Sequence, residues 1–378
     1  MKYLSLMLII TTVIGCKNNT QKDIKPSSEN EKLISFFVGT YTDSLSEGIY
    51  SYSLSNSGNI KKIKLAAKTE NPSFLAKSVD GKFLLAVNEI NSVDSMGTVE
   101  AYKITGDSLA FISRQSSGGA HPCFVGINQN GFVLTANYSS GNLGLFKLNK
   151  EGDLSDLLDK KQHYTNNHVE KGQWEPHAHS AYFINDSLIV SADLGTNDLW
   201  FYTLDTVENK LKGTIEETLR IGVDPKPGPR HIAFQPQKDW MYVINELNST
   251  IALIKKGENG KYTVQSSVST LPDGYSEKSF CADIHISKDG KFLYASNRGH
   301  NSIAIFEINQ ESGELTAIGY ESVKGDWPRN FALSPNNDFL LVANQRSENI
   351  VSFKRDKVTG LLTFVEEINV PSPVCILF

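Results

Sequence analysis

Cysteine is scarce in this chain of 378 residues, and the chain has no excess of basic charge, with 37 Lys and Arg against 42 Asp and Glu. Its four cysteines are too few for a disulfide framework. A formal net charge of −5 provides no basic surface to displace counterions from nucleic-acid phosphates, so we expect no nucleic-acid partner. Hydrophobic residues make up 40% of the chain, which is enough for a large core and excludes global disorder.

The N-terminal apolar run, Tyr3 to Ile14, is too short to span a bilayer as a helix. It follows Lys2 and ends in the string VIGC, which resembles a bacterial lipobox. The resemblance implies cleavage before Cys16 and lipidation of that residue. We expect a lipoprotein signal peptide and lipobox over residues 1–16 and a flexible polar tether over residues 17–35. The lipid would be the membrane anchor and would hold the protein at the cell envelope, on the periplasmic face or the outer membrane.

The other three cysteines, Cys123, Cys281 and Cys375, lie inside apolar stretches and are expected to be buried free thiols. A nucleophilic role for Cys123 beside His121 stays open, although two residues on one strand are no evidence of a catalytic pair. The sequence also contains no GxSxG nucleophile elbow, which disfavours a covalent serine mechanism.

An apolar strand that ends in Asn, Asp or Thr recurs along the chain, with spacings of 48, 49, 56, 52, 52 and 47 residues. Turn pairs such as Asp80-Gly81 and Asp289-Gly290 precede most copies, and such pairs close hairpins. Two more apolar strands follow each copy, and apolar residues nowhere keep a helical spacing. Each repeat therefore predicts four antiparallel strands. The repeated position is occupied by Thr40, Asn88, Asn137, Asp193, Asn245, Asn297 and Asn344.

Residues 36–378 number 343, which is seven times 49, so the period predicts an all-β, seven-bladed β-propeller of four-stranded antiparallel blades. The last residues, SPVCILF, are typical of an inner strand without partners, whereas FFVGTY and GIYSYSL near residue 36 lack an inner strand. We expect the N- and C-terminal strands to pair and complete one blade. The alternative is a six-bladed propeller with a stray terminal hairpin.

The inner strands of a propeller line one central channel, so equivalent repeat positions form rings around it. Most repeats have a proline at the start of the inner strand, a position that we call the Pro slot. The position after the Pro slot and the position two residues later are polar along one arc of blades. The opposite arc carries Ser73, Cys123, Leu75 and Val125, and a purely structural channel does not need this asymmetry. The polar arc comprises His177, His179, Arg230, Asp283, His285 and Arg329.

Loops after the second strands add Glu246, Arg298 and Gln345 to the candidates. Ordinary ion pairing between blades is the alternative for the Arg and Glu residues, and loop capping is the expectation for the repeated Asn residues. His177 and His179 share a strand face, as zinc ligands do, but no carboxylate at a tight ligand spacing accompanies them. We expect neither a metal nor a cofactor.

Several strings of the chain follow the order and spacing of the seven-bladed lactonase family, which includes the propeller type of bacterial 6-phosphogluconolactonase and the fungal carboxymuconate lactonizing enzymes. These strings are EPHAHS, DLG, GPRHIAF, NEL, DIHIS, SNRG, WPRNFAL and VANQ, within residues 36–378. The resemblance implies a catalytic set of His177 or His179 with Arg230, Glu246 and Arg298. For substrate binding we predict Arg329, Asp283, His285, Asn330 and Gln345.

The function that we expect is hydrolysis of a sugar-derived lactone by a monomer, with the lactone as its partner. Glu246 or a channel His would accept the proton of the attacking water, and Arg230 and Arg298 would meet the charge on the carbonyl oxygen. Arg329 would grip a carboxylate or phosphate. The alternatives are an envelope-anchored, non-enzymatic propeller that binds a glycan or protein, and a muconate-type cycloisomerase.

Overall fold

The computed structural model describes Met1 and residues 33–43, 45–165, 175–213, 217–222 and 226–378. The predicted signal peptide, the lipidation site Cys16 and most of the predicted tether lie outside these residues. The first strand begins at Ile34, so the last two residues of the predicted tether belong to a strand. In the described ranges, no helix is long and apolar enough to cross a bilayer.

The described residues form short strands joined by turns. In chain order these are β1 (Ile34–Thr40), β2 (Gly48–Leu54), β3 (Ile60–Lys68), β4 (Pro72–Lys77), β5 (Phe83–Val93), β6 (Met96–Thr105), β7 (Ser108–Ser116), β8 (Pro122–Ile127), β9 (Phe132–Asn137), β10 (Asn142–Lys147), β11 (Asp159–Gln162), β12 (Ala178–Phe183), β13 (Leu188–Asp193), β14 (Asp198–Asp205), β15 (Lys210–Lys212), β16 (Thr218–Arg220), β17 (Pro229–Phe234), β18 (Trp240–Asn245), β19 (Thr250–Lys256), β20 (Tyr262–Ser269), β21 (Phe280–Ile286), β22 (Phe292–Arg298), β23 (Ser302–Ile308), β24 (Leu315–Ser322), β25 (Pro328–Leu333), β26 (Phe339–Asn344), β27 (Asn349–Arg355), β28 (Leu362–Asn369) and β29 (Pro373–Leu377).

These strands make seven antiparallel sheets, and six of them follow chain order from the inner to the outer edge. In the sheet that starts with β12, the outer edge is in two pieces, because β15 and β16 both pair with β14. The seventh sheet has the order β29-β1-β2-β3, with Val38 of β1 opposite Ile376 of β29. It therefore contains strands from both ends of the folded region.

The inner strands form a ring, because β29, β4, β8, β12, β17, β21 and β25 contact one another in this order and back to β29. Each sheet is thus one blade around a central channel. The predicted seven-bladed all-β propeller is confirmed, and the six-bladed alternative is wrong.

The repeated turn pairs have the backbone that their residues favour. Gly81 and Gly290 have φ angles of 71° and 70°, in the left-handed region that glycine adopts without strain. Gly81 N donates to Ser78 O at 2.8 Å, and Gly290 N makes the equivalent bond to Ser287 O at 2.8 Å. The hairpins between first and second strands are therefore encoded locally.

The core lies between neighbouring blades. All six residues of β26 are buried, and Phe339 and Leu341 from this strand pack with Phe36 and Tyr52 of the terminal sheet. Burying one such side chain stabilises the fold by about 1.5–3 kcal/mol. A strand buried on both faces has no use for alternating polar residues, which explains the continuous apolar runs of the repeat. Cys123, Cys281 and Cys375 are buried free thiols, as predicted.

Candidate active site

Each inner strand begins with a bulge at the position that faces the repeated residue of its second strand. In β8, Pro122 lies opposite Asn137 and Phe124 opposite Ala136, so Cys123 is the extra residue. A bulge redirects the side chain of the extra residue, and bulges are frequent beside active sites. Across the blades the equivalent extra residues include Ser73, Cys123, His179, Arg230 and Arg329.

This register changes the ring positions that the internal repeat predicted for two residues, His177 and Asp283. His177 does not belong to the ring of Arg230, because Ala178 faces Asp193 and makes His179 the extra residue. Pro176 imitates the Pro slot of the other repeats but precedes the strand. In β21, Cys281 faces Asn297 and Ile284 faces Ala295, so Asp283 lies one place beyond the level of Arg230.

The residue after the repeated position lies beside the start of the inner strand, at one mouth of the channel. This position holds Glu246 and Arg298, as predicted, and also Tyr41, Glu89 and Tyr138, of which Glu89 and Arg298 still belong to β5 and β22. Tyr41, Glu89 and Tyr138 were missed, although their place directly after Thr40, Asn88 and Asn137 was readable from the repeat. We call the following residues the mouth cluster: Tyr41, Glu89, Tyr138, His177, His179, Arg230, Glu246, Arg298, Arg329 and Gln345.

A single carboxylate oxygen connects two of the predicted arginines. Glu246 Oε2 lies 3.0 Å from Arg230 Nε and 2.9 Å from Arg298 Nη2. Burial acts to raise the pKa of Glu246, but Arg298, Arg230 and Arg329 outweigh it and lower the pKa. Glu246 is therefore a carboxylate at neutral pH and a weak base.

Arg298 is held from both sides. Its Nη2 also donates to Cys281 O at 2.8 Å, and its guanidinium lies over the Trp327 ring with 5.2 Å between centres. Burial lowers the pKa of Arg298 to about 10, so the group still carries its charge at neutral pH. Arg230 is anchored in a similar way, by a hydrogen bond from Nη1 to Ala282 O.

His177 lies at the mouth with one ring nitrogen fixed. Its ring stacks on Tyr138, with centroids 4.6 Å apart and planes 13° apart, and its Nδ1 lies 3.0 Å from Tyr138 O. A carbonyl only accepts, so Nδ1 carries a proton, and in the neutral imidazole Nε2 is then the nitrogen with the lone pair. No described residue bonds to Nε2. Burial and the Glu246 carboxylate raise the pKa of Tyr138 to about 12, so its hydroxyl remains a donor.

His179 and Cys123 occupy the buried side of the cluster, with 3.7 Å between His179 Nδ1 and Cys123 Sγ. Burial, Arg230 and His231 hold the pKa of His179 well below its usual range, so the ring is neutral. Burial raises the pKa of Cys123, which remains a thiol and is a poor nucleophile. Neither residue resembles an activated pair.

Arg329 and Gln345 are the least committed members of the mouth cluster. Arg329 Nη2 is 3.5 Å from Glu89 Oε2, a long contact, while Tyr41 donates to the same oxygen at 2.7 Å. Gln345 Oε1 is buried and has no partner among the described residues. These groups are available to a ligand.

Asp283, His285 and Asn330 hydrogen-bond to one another rather than to the mouth cluster. They adjoin it through His231, whose Nε2 lies 3.3 Å from Arg230 Nη1. Together with His231 they form what we call the lower cluster. These four line a cavity of about 550 Å³ whose walls include none of the mouth-cluster residues. Phe74 and Phe124 lie against His231, with ring centroids 5.7 and 6.0 Å apart, and line the same cavity.

Asp283 is fully occupied by other side chains of the lower cluster. Its Oδ1 accepts from His231 Nδ1 at 2.7 Å, and its Oδ2 accepts from Asn330 Nδ2 at 2.6 Å and pairs with His285 Nε2 at 3.0 Å. Burial acts to raise the pKa of Asp283, but His285 and His231 hold it well below its usual range. Burial and Arg230 lower the pKa of His231 to about 4. The predicted substrate contacts of this cluster are therefore already committed to the protein.

In the part of the chain that the structure describes, no three His, Cys, Asp or Glu side chains come together as ligands for a metal ion. The mouth cluster instead combines three arginines with two glutamates, which leaves one positive charge in excess. Two guanidinium groups, a phenol and an imidazole with a free lone pair can bind a developing oxyanion and accept a proton.

The family model described as "Lactonase, 7-bladed beta-propeller" matches residues 35–378. The chain is 39% identical to the 6-phosphogluconolactonase of Bacillus subtilis over 349 residues, which are 90% of this chain and 97% of the Bacillus protein. It is 37% identical to the 6-phosphogluconolactonase of Formosa agariphila, over 86% of this chain and 94% of that protein. The structure of the Pseudomonas aeruginosa periplasmic gluconolactonase PpgL superposes with a TM-score of 0.84 at 28% identity, covering 91% of this chain and 98% of that one. The chain belongs to the seven-bladed β-propeller lactonase family, as a lactone-hydrolysing enzyme.

Proposed function

We propose that this chain hydrolyses a sugar-derived lactone by attack of water at the channel mouth, without a metal ion. The observation that carries this proposal is the shared carboxylate of Glu246, which holds Arg230 and Arg298 at 3.0 and 2.9 Å in the same cluster as His177. Two fixed cations and an imidazole with an available nitrogen are what ester hydrolysis requires.

In this mechanism a water molecule attacks the lactone carbonyl carbon while its proton passes to His177 Nε2. Arg230 and Arg298 stabilise the negative charge on the carbonyl oxygen of the tetrahedral intermediate, and one such donor is typically worth about 3–4 kcal/mol. The bond to the ring oxygen then breaks, and the His177 imidazolium returns the proton to that oxygen. The product is the open-chain hydroxy acid.

Of the two candidates for the base that the sequence left open, Glu246 and a channel histidine, we assign the role to the histidine. The lowered pKa of Glu246 makes it a weak base, and its carboxylate already bridges two guanidinium groups. We assign it the positioning of Arg230 and Arg298. His177 takes the role of base because Tyr138 O fixes its tautomer at 3.0 Å. His179, buried and neutral, packs beneath the site.

Metal independence is supported by the charge of the mouth cluster. A divalent cation beside Arg230, Arg298 and Arg329 would meet three positive charges, and Glu246 is already paired. Arg329 instead offers its guanidinium to an anionic group of the substrate, because its contact with Glu89 is as long as 3.5 Å. The named relatives include both a 6-phosphogluconolactonase and a gluconolactonase, so the phosphate has to be tested directly.

The test is a screen of the purified protein against gluconolactone, 6-phosphogluconolactone and muconate, with the spontaneous hydrolysis of each lactone subtracted. We expect hydrolysis of one of the lactones, with no loss of rate in EDTA. Muconate lactonization without hydrolysis of either lactone would instead identify a cycloisomerase. Absence of all three activities would overturn the proposal.

We also propose that the protein is anchored at the cell envelope through a lipid on Cys16, on the strength of the lipobox-like VIGC string. Cells supplied with labelled palmitate should incorporate the label into the protein, and Cys16→Ser should release it from the membrane fraction. An unlabelled protein, or unchanged fractionation of the variant, would overturn the anchor.

A further inference from the structure

Asp193 is an exception in the repeat. Five other blades have Asn at this position and one has Thr. An Asn amide can donate, and in several blades it donates to a backbone carbonyl near the end of the preceding outer strand. These bonds are Asn137 Nδ2 to Ser117 O at 3.0 Å, Asn297 Nδ2 to Thr270 O at 2.8 Å, and Asn344 Nδ2 to Val323 O at 3.0 Å.

A carboxylate has no donor, and Asp193 is surrounded by donors instead. Its Oδ2 accepts from His163 Nδ1 at 2.7 Å, so a side-chain donor replaces the backbone acceptor of the other blades. Its Oδ1 accepts from three backbone N–H groups, those of His177 at 2.9 Å, Gly195 at 3.0 Å and Thr196 at 2.9 Å. The side chains of Asp193 and His163 are both fully buried. A buried carboxylate is tolerated only with such partners.

His163 is itself held rigidly. Its ring lies flat on Trp200, with centroids 4.5 Å apart and planes 3° apart. Because the Asp193 carboxylate accepts, the His163 proton is on Nδ1. The pair therefore joins two blades, because His163 follows β11 and Asp193 ends β13, and the Asp193 carboxylate is directed at the segment that leads into β12.

The backbone N–H of His177 donates to Asp193, and the equivalent N–H groups of other blades have a different kind of acceptor. At the equivalent position before the inner strand, His121 N donates to Ile90 O at 2.9 Å, and Trp327 N donates to Asn301 Oδ1 at 3.0 Å. In both cases the acceptor belongs to the preceding blade. His177 is instead fixed within its own blade through its backbone and by Tyr138 O through its ring.

The loop after Asp193 fits closely against the segment before His177. A Cβ atom on Gly195 would lie 1.8 Å from Glu175 O and 3.0 Å from His177 Cδ2. Glycine is therefore required for the two segments to approach. The carboxylate of Asp193 joins both segments, since it accepts from His177 N and Gly195 N through the same oxygen.

We infer that Asp193, held by His163, is a positioning residue that sets the place of His177 at the channel mouth. This inference rests on the proposed function, in which His177 accepts the proton of the attacking water. Its physical content is that His177 must be placed to a fraction of an ångström, because misplacement of a reacting group by about 1 Å can cost on the order of 10²-fold in rate.

The test is Asp193→Asn, which conserves size and installs the residue of five other blades. The amide retains an oxygen for the three N–H groups but places an NH₂ group against His163 Nδ1. The bond can then form only if the His163 proton moves to Nε2, which is buried and has no partner among the described residues. We expect kcat to fall by about 10-fold to 100-fold. KM should remain within about twofold, because the arginines that bind the substrate are untouched.

A second pair of variants separates positioning from general stability. His163→Leu removes the donor and should lower kcat as Asp193→Asn does, whereas His163→Asn keeps a donor near the same place and should recover most of the loss. The matched control is Asn344→Ala, which breaks a capping bond at the same repeat position of another blade. It should lower the melting temperature and leave kcat unchanged.

Wild-type kcat in Asp193→Asn, or an equal loss in Asn344→Ala, would overturn the inference. Failure of the proposed function gives a different pattern. In that case the wild-type protein hydrolyses no lactone, or His177→Ala is as active as the wild type. An inactive His177→Ala beside a fully active Asp193→Asn would overturn the positioning role alone.

Discussion

The mouth cluster and the lower cluster both contain histidine, carboxylate and amide side chains, and they differ in how far the protein itself satisfies these groups. In the lower cluster, both carboxylate oxygens of Asp283 are hydrogen-bonded, to His231, Asn330 and His285 at 2.6–3.0 Å. In the mouth cluster, Gln345 Oε1 has no described partner. His177 Nε2 is equally open.

This difference teaches how to separate a site from a scaffold when both are polar. Buried polar groups that find protein partners contribute to the fold, and those that lack one cost free energy unless a ligand supplies it. The lower cluster also joins strands. Asn330 Nδ2 binds Asp283 of β21 at 2.6 Å and its Oδ1 accepts from Ile376 N of β29 at 2.7 Å. It fastens three inner strands below the site.

The largest effect is expected at the mouth, from His177→Ala. Loss of the general base should reduce kcat by about 10²-fold to 10⁴-fold. The melting temperature should change little, because His177 is half-buried and bonds through one ring nitrogen. Lactone hydrolysis and thermal unfolding of the same preparation provide the measurement.

The matched control for this variant is His121→Ala. His121 precedes β8 as His177 precedes β12, and its Nδ1 contacts Ser139 Oγ at 2.7 Å. Its activity should remain within about twofold of the parent, because its ring has no part in the proposed mechanism and the substitution leaves its backbone bond to Tyr138 N in place. Equal losses in both histidine variants would remove the distinction of His177.

The next largest effect is expected from Glu246→Gln, which leaves Arg230 and Arg298 buried beside a neutral amide. Breaking such a buried charge arrangement typically costs about 3–5 kcal/mol of unfolding free energy. Misplaced guanidinium groups should also lower kcat by about 10²-fold. Glu89→Gln is the comparison, and it should cost less in both measurements because the Arg329 contact is 3.5 Å long. A larger loss in Glu89→Gln would reverse the proposed order of the two carboxylates.

Asp283→Asn should have the opposite pattern to His177→Ala, with a large loss of stability and a small loss of activity. An amide NH₂ in place of Oδ2 would face the Asn330 amide and the His285 ring, so we expect a loss of about 3 kcal/mol in unfolding free energy. The kcat of the folded variant should remain within about fivefold of the parent, since the changed group lies outside the mouth. A variant with normal stability and abolished hydrolysis would place Asp283 in the site and undo the division into two clusters.

The sequence predicted the blades because their determinants are local. Turn pairs, apolar runs and the repeated Asn each act within about fifty residues, and they fix seven four-stranded sheets. The register of the inner strand is determined instead by its pairing with the second strand, which the local sequence does not specify. Pro176 imitates the Pro slot, and only the pairing of Ala178 with Asp193 shows that His179 is the bulged residue.

Only part of the site could be predicted, because the rest depends on contacts between blades. Arg230, Glu246 and Arg298 are brought together as expected. The division of the remaining candidates depends on contacts between blades, such as Asp283 with Asn330, 47 residues apart in the chain. Whether a polar side chain finds a partner at that separation has no signature in the order of residues.

The smallest effect is a pH dependence of stability that belongs to the lower cluster. Burial acts to lower the pKa of His285, but the Asp283 carboxylate outweighs it and raises the pKa above the usual value of about 6.5. A raised pKa contributes stability that is fully present below the unfolded value and is lost as pH rises through the folded value. The melting temperature of the parent should therefore exceed that of His285→Gln most at pH 5–6, about one unit below that value, and the difference should shrink above pH 7. Because the ring is 41% exposed, solvent screens the pair and the effect should be small. A difference that grows with pH would mean that His285 is neutral when it binds Asp283.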